Sequence, residues 1–443
     1  MELTKPPVLD DTGKLIAERL REIRNAIMSG TTGTIYGFHI DSTESDPAEC
    51  VTYLADAAGM TPAYMDFVND MFKWGSWRNA FFMPRPCMLK YDGTVDYYLD
   101  ENDYSKKCDG SPSDIGNTSY GGNAMMEWGR NGRKIWMKIL PDANDDTSGS
   151  VYIADYQVDD DYHAWPFVNN QGDLVDHFYT PIFNGSYDGA KLRSLSGQAV
   201  MKSQTGETEM IRAQANNPSN DLLWNIECFA DRLLINMLLV LIGKSLDTQT
   251  VFGRGLSESG SENINNGFST GVHNVKGMFY GTNSGAASTY ANSVKVFGME
   301  NWWGFQWRRL NGWIMVNGDQ RVKLTNGVQD GSTANAYNTT GTGYISIGAT
   351  PAGSSGGYIN ISKFTHHGIV PKTASGTSST YFCDGFWFNN SGVRFALVGG
   401  GSGDGVRCGA FFAALNYGVG SASWGFGAAL SCKPLAGEGE LSA

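Results

Sequence analysis

The sequence is short of charge, and the charge that it carries is mostly negative. Charged residues make up 18% of the 443 residues, and the formal net charge is −12. A protein that binds nucleic acid needs a basic surface to neutralise phosphates, and one that adheres to an anionic membrane surface needs the same sign of charge. The composition therefore argues against nucleic acid and anionic lipid as partners.

The sequence also lacks a long hydrophobic run. Its longest, residues 233–242, is interrupted by Asn236, whereas a helix that spans a membrane needs about 20 apolar residues in a row. Residues 1–11 are polar and contain no apolar core of a signal peptide. We therefore expect no membrane insertion, and a protein that is made and folded in a cytoplasm.

Clustered cysteines are missing as well. The seven cysteines are odd in number, widely spaced and without a CxxC pair. In a cytoplasm such residues are typically buried and reduced thiols, and neither a disulfide framework nor a zinc site is expected. They are Cys50, Cys87, Cys108, Cys228, Cys383, Cys408 and Cys432.

Glycine and aromatic residues are abundant. The chain contains 56 glycines, and 12% of its residues are aromatic. Trp, Tyr and Phe are spread along the whole length, which argues against disorder and favours short strands, long structured loops and irregular aromatic cores. A chain of this length can bury a sizeable core, so we expect one large domain with smaller N-terminal pieces.

The first 30 residues predict a helix. Residues 14–28 follow capping residues at 10–12 and precede Gly30, and their apolar positions are spaced four, three and four apart. One interpretation is an amphipathic helix that docks on its own domain. The other is a short coiled coil that gathers identical chains, although two heptads are too short to hold an oligomer alone. The apolar residues are Ile16, Leu20, Ile23 and Ile27.

Residues 31–119 predict a small mixed domain. Residues 47–60 and 61–72 have the composition of two short helices, and residues 83–99 predict a hairpin around the Asp92-Gly93 turn.

The middle of the chain predicts strands followed by a helix. Residues 124–140 suggest a hairpin around Asn131-Gly132, and residues 150–158 a further strand. Residues 221–242 give the strongest helix signal, with Asn220 or Asp221 as the cap and Gly243-Lys244 as the stop. The continuous apolar stripe of this helix is typical of a core face.

After residue 250, Gly/Ser/Asn-rich stretches alternate with aromatic islands. The islands are too aromatic to be left exposed, so they predict strands of one compact domain with long loops. No internal repeat is visible, which argues against a propeller or a solenoid.

The final stretch, residues 393–434, predicts two strands separated by small and mixed residues. Alternation predicts that Phe411 and Leu415 face inward, while Phe412, Ala414 and Asn416 face outward. In the second strand, Trp424 and Phe426 are predicted to face inward. On this basis Phe412→Ala and Tyr417→Ala are expected to leave stability nearly unchanged.

This stretch resembles the variable region of target proteins of diversity-generating retroelements from phages and prophages of gut bacteria. The resemblance covers roughly residues 120–436, and it implies a C-type-lectin fold of the kind seen in formylglycine-generating enzymes. Near the C-terminus it is carried by Arg394-Phe395-Ala396, Gly399-Gly400, Cys408-Gly409 and residues 427–432. A second stretch, residues 294–313, carries it through Phe297, Gly298, Glu300, Asn301, Trp303, Gly304, Trp307 and Gly312.

The resemblance implies which residues form a varied binding surface. In that family, adenines in Asn-type codons are mutagenised, so surface positions vary on a constant scaffold. Trp424 is excluded, because a Trp codon does not arise from an Asn codon by adenine changes. Carried over by position, the candidates are Gly401, Ser402, Asp404, Val406, Arg407, Phe412, Ala414, Asn416, Tyr417, Val419, Ser421 and Ala422.

Catalysis is not expected, although related oxidases use the same scaffold. Copper oxidases need two cysteines close in sequence, and Cys408 and Cys432 are far apart. The six histidines include no HxxxHxE cluster, and adjacent His366 and His367 would point to opposite faces of a strand. The acidic run at residues 159–161 is typical of a solvated turn. We therefore predict no enzyme activity, no cofactor and no metal.

The sequence as a whole predicts an α+β chain. An N-terminal helix (1–30) and a small mixed domain (31–119) precede a C-type-lectin-like domain (120–436) whose variable region spans about 393–432. The predicted function is a phage tail-tip adhesin in the virion, a homotrimer that binds a bacterial surface receptor, protein or glycan, and other tail proteins through its N-terminus. The alternatives are a bacterial lectin-fold ligand-binding protein and a glycan-degrading tail enzyme.

The resemblance makes a prediction about the gene. We expect the flanking DNA to encode a reverse transcriptase and to contain a near-copy of the codons for residues 393–432 that differs at adenines. Sequencing of the neighbourhood tests this. The absence of such a copy, together with a gene location away from phage structural genes, would contradict it.

Overall fold

The computed structural model describes residues 33–219, 222–258, 269–286, 290–325 and 340–437. The helix predicted within residues 1–30 lies outside these residues. The described part is mainly β, with three α-helices: α1 Gly206–Gln214, α2 Phe229–Gly243 and α3 Thr248–Phe252. None of its helices is long and apolar enough to cross a bilayer.

The strands are short and numerous, as the glycine-rich and aromatic composition predicts. In chain order they are β1 Ile35–Ile40, β2 Val51–Ala55, β3 Tyr64–Asp66, β4 Met71–Lys73, β5 Arg85–Lys90, β6 Val95–Tyr98, β7 Gly122–Trp128, β8 Trp136–Asp142, β9 Asp145–Ala154, β10 Phe178–Pro181, β11 Ser186–Tyr187, β12 Leu192–Arg193, β13 Trp224–Ile226, β14 Lys295–Val296, β15 Met299–Glu300, β16 Trp307–Val316, β17 Asp319–Val322, β18 Ile345–Ala349, β19 Ser354–Tyr358, β20 Ile361–Thr365, β21 Gly368–Thr373, β22 Gly385–Asn389, β23 Val393–Val398, β24 Ala413–Tyr417, β25 Phe426–Gly427 and β26 Leu430–Cys432.

Three larger sheets organise these strands. A four-stranded sheet has the order β2-β1-β9-β8, and a six-stranded sheet has the order β13-β26-β10-β7-β5-β6. The largest sheet has the order β18-β17-β16-β23-β24-β22-β19, with β25 paired to β16. The β16–β25 and β22–β24 pairs are parallel, so strands distant in sequence meet at the centre of the C-terminal sheet.

Helix α2 lies at the centre of the core. All fifteen of its residues are buried, and its polar residues Asp231, Arg232 and Asn236 have hydrogen-bond partners. It contacts β1 of the four-stranded sheet and β16 of the largest sheet. Its predicted end is confirmed, because Lys244 adopts a left-handed conformation and its N–H reaches the carbonyl oxygen of Val240.

The predicted beginning of this helix is wrong. The prediction placed it at residue 221, but residues Trp224–Ile226 form β13 and pair with β26 near the C-terminus. The backbone groups of these three residues therefore take part in a sheet, and the helix begins only at Phe229.

Two helices predicted in the N-terminal segment are also wrong. Within residues 47–60 the chain forms β2, which pairs with β1, and within residues 61–72 it forms most of the β3–β4 hairpin. Pairing with neighbouring strands overrides the weak helix propensity of these stretches. The hairpin around Asp92-Gly93 is confirmed as β5–β6.

The two strands predicted as a hairpin around Asn131-Gly132 do not pair with each other. Strand β7 pairs with β5 and β10, whereas β8 pairs with β9 in a different sheet. The connection between them carries the chain from one sheet to the other. Because β1 pairs with β9 and β5 pairs with β7, both sheets contain strands from either side of residue 119. Apart from the β3–β4 hairpin, the described strands of residues 33–119 thus share their sheets with strands from later in the chain.

A buried histidine makes the fold sensitive to acid. The imidazole of His273 lies 2.9 Å from the carbonyl oxygen of Ser293. Burial, with a smaller contribution from the nearby Lys295 ammonium, lowers the pKa of His273 from 6.5 to about 4. Lys276 opposes protonation too, whereas Asp70 favours it. Since the unfolded chain takes up this proton first, stability is fully present above pH 6.5 and is lost as the pH falls towards 4.

We predict that His273→Gln removes part of this acid sensitivity. A shift of this size corresponds to a loss of roughly 3 kcal/mol of unfolding free energy in the wild type between pH 6.5 and 4, and an amide does not titrate there. Urea unfolding at both pH values, for both proteins, measures the difference. An equal loss of stability in the variant would contradict the assignment.

Candidate functional site

The C-terminal sheet has two different faces. Ala413 and Leu415 of β24 belong to the main core around helix α2. Leu397 of β23 and Ala414 of β24 belong instead to a small separate cluster with Phe426, against which Trp307 and Trp387 are only partly buried. We call this second side the outer face.

A bulge decides which C-terminal side chains reach the outer face. Leu397 pairs with Ala414, but Phe395 pairs with Tyr417, so β24 contains one extra residue between the two pairs. Ala414 packs with Phe426, and the Tyr417 ring lies 4.8 Å from the Phe426 ring in an edge arrangement. Ala414 and Tyr417 therefore share the outer face.

An aromatic platform covers the neighbouring strands. Trp387 of β22 lies opposite Ala414 on one side and Gly356 of β19 on the other. A Cβ atom on Gly356 would lie only 1.4 Å from the Trp387 ring, so the indole rests directly on the glycine. The Arg407 guanidinium lies 5.9 Å from the Trp387 ring centre and 5.3 Å from that of Tyr358. Both distances allow a cation–π attraction.

The turn that carries Arg407 is held by Asp404. Its carboxylate accepts a 2.7 Å hydrogen bond from the backbone N–H of Gly401 and another from the side chain of Trp307. Burial raises the pKa of Asp404, and these hydrogen bonds partly offset the effect. The Trp307 ring in turn lies 4.4 Å from the Phe412 ring. The turn is therefore anchored on the sheet beneath it.

Eight of the twelve residues predicted for the varied surface are accessible to solvent in the chain. Val406 (47% exposed) and Tyr417 (39%) are the most exposed large apolar ones. The exposed members are Val406, Tyr417 and Ala422, and the half-buried ones are Asp404, Arg407, Asn416, Val419 and Ser421.

The other four are buried, which corrects the prediction for them. Phe412 is 0% exposed, and its ring is so tightly enclosed that a Cβ atom on Gly385 or Gly400 would lie within 2.6 Å of it. The prediction that Phe412 faces outward is wrong because this residue precedes β24 and packs against Trp307. The four are Gly401, Ser402, Phe412 and Ala414.

Predicted directions are wrong for two more residues and confirmed for Leu415. Trp424, predicted to face inward, is 37% exposed because it precedes the short strand β25. Leu415 is buried in the main core as predicted, whereas Phe426 is buried on the outer face against Ala414. Phe411 is half-buried and packs with its ring 4.8 Å from that of Phe382.

Sequence reasoning missed two members of the platform, Tyr358 and Trp387. A signal for Trp387 was present, because residues 385–389 alternate and the structure buries Phe386 and Phe388 while leaving Trp387 half-exposed. No local signal pointed to Tyr358, because its role depends on Arg407, 49 positions later in the sequence.

The other candidate groups serve the fold. Six of the seven cysteines are buried and Cys108 is exposed. In the acidic run, Asp159 and Asp161 both pair with the Lys138 ammonium, at 3.0 and 2.9 Å. Nδ1 of His366 lies 3.0 Å from the carbonyl oxygen of Ile139. Across the described ranges, no three His, Cys, Asp or Glu side chains are grouped to hold a metal ion.

We predict unequal losses of stability for two aromatic substitutions. Phe412→Ala removes a fully buried ring and is expected to cost about 3–5 kcal/mol of unfolding free energy. Tyr417→Ala removes a partly exposed ring and is expected to cost about 1 kcal/mol or less. Chemical denaturation of both variants tests this, and similar losses would show that the outer face is wrongly assigned.

No known family model matches the chain, and no curated protein matches it either. The observations that bear on function are therefore the outer face, its aromatic platform and the turn that presents Arg407.

Proposed function

We propose that this protein is a phage tail receptor-binding protein whose outer C-terminal face binds a molecule on the surface of a bacterium. The observation that carries the proposal is the platform of Trp387, Tyr358 and Arg407, with Tyr417 on the same face of the sheet. These side chains are partly exposed, although each has large apolar area. Trp, Tyr and Arg are the residue types that dominate binding energy at protein interfaces.

The platform is suited to binding because its members are held before a ligand arrives. Trp387 rests on Gly356, and Arg407 lies beside both rings. A surface that is already ordered loses little conformational freedom on binding, which strengthens the net affinity. Small and polar neighbours such as Ser421 and Ala422 add adaptable contacts, as in antibody loops.

We also propose that residues 120–436 form a C-type-lectin-like domain. The mainly β architecture with long connections and the resemblance of residues 393–432 support this proposal. The binding face then corresponds to the varied surface that the resemblance implies.

The modest affinity expected of a single binding site favours an oligomer of this chain. One platform of this size gives modest affinity, and several copies on one virion multiply it through effective concentration. We therefore propose a homotrimer on the phage tail, with residues 1–30 contributing to assembly or attachment and with a bacterial surface protein or glycan as the receptor. This binding function requires no cofactor and no catalysis.

We predict that the platform variants lose binding while they keep their fold. Trp387→Ala is expected to weaken binding of the purified protein to cells by about tenfold or more, because it removes a central aromatic anchor. Gly356→Ala should weaken it too, because the added methyl group displaces the Trp387 ring. Binding is measured on the bacterium that the phage infects, together with competition against phage adsorption.

The control is Tyr64→Ala, which removes another exposed aromatic side chain far from this sheet, in β3. It should bind like the wild type and melt within about 2 °C of it. Trp387→Ala and Gly356→Ala change packing on the sheet and should lower the melting temperature, but both variants should still fold. If Trp387→Ala binds as tightly as the control, the outer face is not the receptor-binding surface.

A further inference from the structure

The segment after β24, residues 418–425, is held to the rest of the protein through its main chain. Among the described residues, four hydrogen bonds from donors far away in the sequence end on its backbone carbonyl oxygens. The acceptors alternate along the chain: Val419 (from Gly206 N, 2.9 Å), Ser421 (from Arg309 Nη2, 3.0 Å), Ser423 (from Ser203 N, 2.9 Å) and Gly425 (from Trp307 N, 2.9 Å).

The side chains of this segment contribute much less to its anchoring. Ala422 and Trp424 are exposed, and Ser421 is half-buried. Val419 is the exception, because it packs partly against the second core cluster. A carbonyl group is present in every residue type, so contacts of this kind do not depend on which side chain stands at 420, 421, 422 or 424.

Of these four hydrogen bonds, the one from Arg309 is donated by a side chain, and the other three are donated by backbone N–H groups. Arg309 lies in β16 and is fully buried, and its Nε pairs with the buried carboxylate of Glu209 in helix α1. Its guanidinium also lies 5.9 Å from the Phe426 ring centre. Because a guanidinium has several donors in one rigid plane, Arg309 can hold Glu209 and Ser421 together.

Helix α1 completes the frame. Thr205 caps its first turn, and the N–H of the next residue, Gly206, binds the carbonyl oxygen of Val419. Glu209 lies in the same first turn. The start of α1 and the side chain of Arg309 therefore bind nearby carbonyl groups of the same segment. The Glu209–Arg309 ion pair connects these two contacts.

We infer that Glu209 and Arg309 are positioning residues of the binding surface, which fix the backbone of residues 418–425 so that the side chains at 420–422 and 424 can be exchanged without loss of the fold. This inference rests on the proposed function for its biological meaning. The inference also reduces the number of positions at which side chains can vary without loss of the fold. The buried residues Gly401, Ser402, Phe412 and Ala414 are not among these positions.

The first arm of the test compares the same substitution at positions within residues 418–425 and at buried positions outside this segment. Ser421→Tyr and Ala422→Tyr are expected to shift the melting temperature by less than about 2 °C. The matched changes Ser402→Tyr and Ala414→Tyr place the same ring at buried positions, and they should lower it by about 10 °C or more, or prevent folding. Similar losses in both pairs would overturn the inference.

The second arm tests the positioning pair by hydrogen exchange. Arg309→Lys keeps the charge beside Glu209, but a single ammonium cannot also reproduce the planar contact with the Ser421 carbonyl oxygen. We expect amide exchange to become about tenfold faster at Ser203 and Gly206, which donate to the segment, and in a peptide covering residues 417–425, where the Ser421 N–H binds the Gly418 carbonyl oxygen. Exchange in helix α2 should stay unchanged. Unchanged exchange in the segment would overturn the role of Arg309.

Glu209→Gln is the second variant, and it should loosen the same segment with smaller effect, because a neutral amide still accepts from Arg309. Both arms are independent of any receptor. If the segment loosens in Arg309→Lys but binding to bacterial cells does not weaken, the positioning role stands and the proposed function fails for this segment. If binding weakens while the segment exchanges as in the wild type, the positioning role fails.

Discussion

A buried carboxylate joins the parts of this fold. Glu227 is 0% exposed and lies between two buried arginines, with Arg232 of α2 at 3.4 Å and Arg308 of β16 at 3.3 Å. The backbone N–H of Glu227 binds Ala429 beside the six-stranded sheet, and Arg232 reaches the carbonyl oxygen of Trp302. Burial lowers the pKa of Arg232 to about 10, and Glu227 opposes that effect. Removing one partner would leave an uncompensated buried charge, which typically costs about 3–5 kcal/mol.

The strand that carries Arg308 also orients the candidate surface. Arg308 and Arg309 are neighbours in β16, and successive side chains of a strand point to opposite faces. Arg308 points to the joint with Glu227, whereas Arg309 points to Glu209 and the segment that contains Ser421. The same strand thus contacts the core joint on one side and the segment of the candidate surface on the other.

Local signals predicted the features that depend on local chemistry. The end of α2 at Gly243–Lys244 follows from its capping residues, and the β5–β6 hairpin follows from Asp92-Gly93. The start of α2 could not be predicted in this way, because residues 224–226 pair with residues 430–432 some 200 positions later. The outer face was predicted only in part, since no local signal announces the bulge before Tyr417 that shifts the alternation.

Oxidative footprinting of the protein bound to its bacterial target tests the central claim most directly. Hydroxyl radicals modify exposed aromatic and sulfur-containing side chains, and mass spectrometry locates the modified residues. The account predicts that binding protects Trp387, Tyr417 and Trp424, while Tyr64 and Met71 on the β3–β4 hairpin react as in the free protein. Protection of Tyr64 and Met71 with no change at Trp387 would place the receptor on another surface and contradict the account.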